Sequence, residues 1–209
     1  MESSEPLTFS PQVRRGGRTA LTTQRIHEAV IQLLIEGGHD ACTFQNVARR
    51  AGIERSTLYR RYPSRWAMLG EAYAAQYAGE LAVEPSDSFA ADLKSHLTKV
   101  ADILNAPLGI AMVAAAAVAR TDPEARKVAG RFWQFRLKEQ EGFVAAAIRR
   151  GELPSAIDRE ALFAAADGPL YFRMLVVGAP IDEQLIDRVV ADVLAIHGVK
   201  QGSDSETAS

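Results

Sequence analysis

Arg55, Ser56, Thr57, Tyr59, Arg60 and Arg61 place hydrogen-bond donors at six of seven consecutive positions, interrupted only by Leu58. Guanidinium forks reach phosphate oxygens or guanine O6 and N7, and hydroxyls reach phosphate or base edges. The chemistry implied is the reading of a nucleic-acid duplex, not covalent catalysis. Thr43 and Gln45 before this run, and Tyr62 and Arg65 after it, extend the same candidate surface. Catalytic readings lack their residues. His27, His39, His96 and His197 are scattered, and neither HExxH, GxSxG nor a Gly-rich phosphate loop occurs. The single cysteine, Cys42, excludes an internal disulfide and a cysteine-based zinc site. No enzyme activity, metal or cofactor is therefore expected. Asp167, beside Gly168-Pro169, is the one acid in an apolar setting, and a capping role is expected of it.

Donors can read a groove only if a rigid element presents them on one face. Thr43 is placed to cap a short helix over 44–51, in which Phe44, Val47, Ala48 and Ala51 recur at helical spacing. Gly52 closes it, Ile53 plugs the corner, and Ser56 or Thr57 starts a second helix through Leu58 and Tyr62. Leu58 turns inward and leaves the donors outside. Upstream, Ile26, Val30, Leu33 and Leu34 predict a helix over 24–36, capped by Thr23 and ended by Gly37-Gly38. Pro63-Ser64 then caps a further helix. Three helices around one small apolar centre, with a short glycine-containing turn, make a helix-turn-helix.

Read in order, the R-I-x-x-A opening, the E-G-G break, T-F-x-x-V-A-x-x-A-G-I, T-L-Y-R-R-Y and P-S-R-x-x-L resemble the N-terminal domain of TetR-family transcriptional regulators over roughly residues 22–70. Arg65 stands where that family usually has lysine, which exchanges a point donor for a planar fork. The resemblance implies an all-α protein of about nine helices. Its domains would be an N-terminal helix-turn-helix DNA-binding domain over 21–66 and a larger ligand-binding and dimerisation domain over 67–199. The function implied is that of a ligand-responsive homodimeric repressor on a palindromic duplex operator.

The net charge of −2 hides a polarity between the two ends. Residues 1–66 hold ten arginines and six acids, whereas 67–209 hold 14 basic and 20 acidic residues. Segregation of this kind steers the first part toward phosphate and keeps the second off it. Residues 1–20 read as a disordered basic arm whose Arg14, Arg15 and Arg18 enter a minor groove or follow the backbone, the alternative being a solubilising leader. Residues 200–209 read as a disordered polar tail. The longest apolar runs, such as 110–119, are too short to span a bilayer, and no signal segment opens the chain, so a cytoplasmic protein without a membrane partner is expected.

From residue 64 the chain reads as helices with punctuation: 64–81, about 85–105, 107–120, 123–150, 158–177 and 181–196, with a kink at Gly168-Pro169. Leu162, Ala166, Leu170, Leu185, Val189, Val190 and Val193 form broad stripes on the last two, predicting a hairpin that pairs with a copy of itself; plain core is the alternative. Phe89, His96, Met112, Phe132, Trp133, Phe135, Arg136, Phe143, Tyr171 and Met174 are the candidates to line an effector pocket. Such a pocket suits a small apolar or aromatic effector anchored by groups such as Arg136 and Tyr171. Each of these also has a packing role open to it.

Overall fold

A computed structural model describes residues 18–199, and every regular element in that span is helical. In chain order they are α1 (Arg18–Ala41), α2 (Phe44–Ala51), α3 (Arg55–Arg61), α4 (Arg65–Gln76), α5 (Phe89–Asn105), α6 (Pro107–Ala119), α7 (Pro123–Glu139), α8 (Glu141–Arg150), α9 (Arg159–Phe172) and α10 (Glu183–Ile196). A π-helical turn, Arg173–Val177, extends α9. The described residues divide into two compact units, one of 18–78 with 111–135 and the other of 79–110 with 136–199. The unit holding the helix-turn-helix thus reaches past residue 66 and includes a distant stretch of sequence.

Ten α-helices stand where about nine were expected, because the 123–150 stretch is interrupted at Gln140. The first helix starts at Arg18, so Thr23 lies inside it and turns its hydroxyl onto the Thr19 carbonyl at 2.8 Å. Gly37 and Gly38 leave helical geometry, and the chain re-enters it only briefly before Cys42. Ser64 does cap α4, accepting from the Ala67 N–H, but that helix ends at Gln76, short of Leu81. Helix α9 passes through Pro169 without breaking. Its departure from α geometry falls four residues later, in the π turn that Gly178 closes in the left-handed conformation.

In the first unit Ile26, Val30 and Leu34 of α1 are buried with Val47 and Ala51 of α2, Leu58 of α3, and Met68 and Leu69 of α4. Burial pushes the Cys42 thiol up to about 11, which keeps it protonated and makes it a small core residue. The second unit centres on Phe89, Leu93 and Leu97 of α5, Phe143 of α8, Phe163 of α9 and Ile186 of α10.

Leu162, Ala166, Leu170, Val189 and Val193 are buried in that same core, within a single chain. This corrects their assignment to a dimer contact: the inward stripes of α9 and α10 are spent on each other and on α5. Leu185 and Val190 are half-buried. On α9, the π turn and α10 the large apolar side chains left outside are Phe172, Leu175, Val176, Val177 and Ile196, four of which lie where α9 gives way to the π turn.

Candidate nucleic-acid interface

Helix α3 has seven residues, far below the roughly 12–15 at which an isolated helix becomes stable in water, so its neighbours must hold it. Leu58, fully buried, is its anchor in the core. Before it, the Thr43 hydroxyl accepts the Asn46 N–H at 3.1 Å and fixes the start of α2. At the other end of α2, the Gly52 N–H donates to the Arg49 carbonyl at 3.3 Å and the Ile53 N–H to the Ala48 carbonyl at 3.0 Å. This paired closure needs a left-handed residue, and Gly52 supplies it with φ 62° and ψ 44°. A Cβ there would also meet Arg25 Nη2 at 2.7 Å. The turn therefore aims α3 by backbone geometry alone.

Along α3, Arg55, Ser56, Tyr59 and Arg60 are exposed, and Thr57 is half-buried. Tyr59 keeps 54 % of its surface accessible yet is held from two sides. Its ring meets Phe44 edge-on at 4.8 Å, and Arg55 donates to its hydroxyl while lying 5.0 Å from the ring centre. Two donors are thereby presented in a fixed geometry before any ligand arrives, which lowers the entropy cost of binding. Gln45 is exposed on α2, and the Thr43 hydroxyl retains its own proton for donation after capping.

Tyr62 does not belong to this surface. Only 3 % accessible, it donates to Glu71 Oε1 at 3.3 Å, and burial beside that carboxylate raises its pKa far above the usual phenol value. Arg61, half-buried, lies 3.5 Å from the same Glu71 oxygen, which also accepts from His27 Nε2 at 3.1 Å. Burial opposes ionisation of Glu71, but the His27 bond with Arg61 and Tyr62 outweighs it and keeps the carboxyl below its ordinary value. Arg61 thus braces α3 against α4. Arg65 lies over the Trp66 ring at 5.2 Å, and its nearest acid, Asp40, is 4.0 Å away, which leaves its fork available to phosphate. Trp66 in turn donates to Asp122 Oδ2 at 2.8 Å.

Arg14, Arg15 and the side chain of Arg18 lie outside the described residues. One exposed side chain was absent from the expected set. The side chain of Glu54, the residue before α3, has no hydrogen-bond or ion-pair partner among the described residues and puts a carboxylate at the start of that helix. A lone acid beside a run of arginines offers no pattern that sequence periodicity detects; only the helix boundary reveals it.

Phe89, His96 and Phe143 are fully buried in the second unit with Arg136, while Tyr171 and Met174 are half-buried there. Met112, Phe132, Trp133 and Phe135 are half-buried in the first unit. Asp167 is no cap: its Oδ1 is 2.9 Å from His96 Nε2 in the core. Among the described residues no single helix is long and apolar enough to cross a membrane.

Two family models match the chain, bacterial regulatory proteins of the tetR family over residues 18–72 and the tetracyclin repressor-like C-terminal domain over 83–193. The HTH-type transcriptional regulator YdeS of Bacillus subtilis, itself uncharacterized, is 27% identical over 94% of this chain and 99% of its own. AqdR of Rhodococcus erythropolis, another HTH-type transcriptional regulator, is 27% identical over 85% of this chain and 86% of its own. Among solved structures, the TetR family transcription regulator SCO0332 superposes with a TM-score of 0.71 at 24% identity, covering 83% of this chain and 97% of that one. FadR from Bacillus subtilis in complex with stearoyl-CoA gives 0.62 at 14% identity, over 82% and 97%. With the capped helix-turn-helix presenting its donor row and both halves matched, the chain belongs to the TetR family of DNA-binding transcriptional regulators and is not an enzyme.

Proposed function

We propose that the chain is an effector-responsive homodimeric repressor in which each α3 enters a major groove and the two subunits read half-sites of a palindrome about 34 Å, or a multiple of it, apart. The observation that carries this reading is the rigid row of Arg55, Tyr59 and Arg60 on a helix fixed by Leu58 and Gly52. Arg55, Ser56 and Tyr59 face the base edges; Thr43, Gln45, Thr57, Arg60 and Arg65 contact the backbone; Arg61 holds α3 in place. Effector response is supported by the family. A shared fold relative, FadR, is seen with stearoyl-CoA. An effector shifts DNA occupancy only by its differential affinity for the bound and free arrangements.

The test is duplex binding across a salt series, using a palindrome selected from random sequence. Arg60→Ala is expected to weaken selected and random duplexes alike and to flatten the slope of log affinity against log salt by about 1. Glu54→Gln is expected to do the opposite. It removes a charge that repels phosphate, so random duplex is bound more tightly, while a cytosine N4 donor facing the carboxylate is no longer singled out over adenine. No retention on any duplex at low salt rejects the regulator's DNA-reading face.

A further inference from the structure

Three segments of the second unit bring polar groups together in its interior. His96 on α5 and Gln140 between α7 and α8 are fully buried, Asp167 on α9 is 1 % accessible, and Arg136 near the end of α7 is 5 % accessible. His96 Nε2 lies 2.9 Å from Asp167 Oδ1 and 3.4 Å from Gln140 Nε2. Phe143 and Phe163 flank the imidazole at 5.9 and 5.5 Å between ring centres. These contacts leave several atoms unserved. His96 Nδ1, Gln140 Oε1, Asp167 Oδ2, and Arg136 Nε and Nη2 have no hydrogen-bond partner among the described residues.

More than nine in ten buried polar groups in folded proteins are bonded, so this concentration of orphans in one core needs a cause. Stability does not supply one, because an uncompensated buried guanidinium is destabilising. The pattern of the orphans does. Arg136 Nε and Nη2 are the two donors on one edge of the fork, the parallel pair that a carboxylate engages with both oxygens. Facing them in chemical type are acceptors: Asp167 Oδ2 and Gln140 Oε1, with His96 Nδ1 when Nε2 carries the proton toward Asp167. Tyr171, half-buried, lies one turn beyond Asp167 on α9. Burial raises its pKa, and it feels the charges of both Arg136 and Asp167.

We propose that this cluster anchors the effector and that the effector is an organic acid bearing a hydroxyl or N–H group. Its carboxylate lies along the Nε–Nη2 edge of Arg136, and its donor serves Asp167, Gln140 or His96. The assignment rests on the effector-responsive reading above and names the chemistry of that effector. Gln140 and Asp167 join His96, Arg136 and Tyr171 in it.

The experiment is thermal unfolding of the full chain with para-hydroxybenzoate, benzoate and methyl para-hydroxybenzoate as probes. The hydroxy acid is expected to raise Tm by roughly 2–4 °C, benzoate by less, and the ester not at all. Arg136→Met is expected to raise Tm without probe and to abolish the response. Arg136→Lys, which keeps the charge and loses the fork, retains only part of it. The anchor is overturned if the ester stabilises as well as the acid, if the response survives Arg136→Met, or if none of the three probes shifts Tm. Duplex retention is measured on the same samples. A probe that binds wild type but releases no DNA overturns the effector-responsive reading and leaves the anchor standing.

Discussion

Phe143→Ala is expected to cost about 3–5 kcal/mol of stability, the upper end of what one core truncation removes. Its ring is fully buried and packs on three others: Phe89 at 6.2 Å, Phe163 edge-on at 6.0 Å, and the His96 imidazole at 5.9 Å. Removing it takes away more than apolar area. The cavity opens against His96 and Asp167, whose bond depends on a dry wall, so water gains access to a polar pair that the fold otherwise shields. At roughly 2–4 °C of Tm per kcal/mol for a chain of this size, the midpoint falls by about 10 °C. Far-ultraviolet circular dichroism is the measurement, because Trp66 and Trp133 both belong to the first unit and their fluorescence does not report on this core. Phe143→Leu, which keeps most of the volume, is expected to lose about 1.5 kcal/mol or less. Equal losses from the two substitutions contradict the role of the ring in closing that wall.

The helix-turn-helix was legible because it is built from local signals. Thr43, Gly52 and Ser64 act through backbone groups within a few residues of themselves, and all three sit where their chemistry requires. The position of Leu58 among donors was enough to identify its inward face. Tyr62 was misread for the complementary reason. Its burial depends on Glu71, which in turn is held by His27 from another helix, and no periodicity connects residues 44 positions apart.

The second unit was less legible. An apolar stripe tells that a helix face is buried, not by what, so Leu162, Ala166 and Leu170 read equally as core and as contact surface. The His96–Asp167 pair, 71 residues apart in sequence, had no local signature at all. Gln140, a polar residue interrupting what looked like one long helix, was the single visible hint. Its burial marks where α7 ends and α8 begins.

Val176→Asp is expected to convert the dimer to monomers and to lower affinity for a paired half-site duplex by about 10²–10⁴, the advantage lost when two linked contacts become one. Val176 is 69 % accessible in the single chain and Phe172 59 %, values a soluble helix end rarely carries on adjacent large apolar side chains. Beside them a groove lined by Gly168, Pro169, Phe172, Arg173, Val177 and Leu185 runs between α9 and α10. The π turn is pinned in place by Arg173, whose Nε donates to the Pro180 carbonyl at 3.1 Å and whose Nη2 lies 3.6 Å from Asp182. The ledge is expected to seat in the groove of a second copy about a two-fold axis, the commonest symmetry of soluble dimers. A carboxylate on this ledge faces Phe172, Leu175 and Val177, and the neighbouring Arg173 is already engaged by Asp182 and the Pro180 carbonyl, so association is expected to be lost while the exposed position leaves monomer stability within about 0.5 kcal/mol. Val193→Asp serves as the contrast. Its parent side chain is 1 % accessible, so it is expected to unfold the second unit instead of parting two folded subunits. Sedimentation read alongside circular dichroism separates the two outcomes, and a Val176→Asp protein that remains dimeric removes this ledge from the interface.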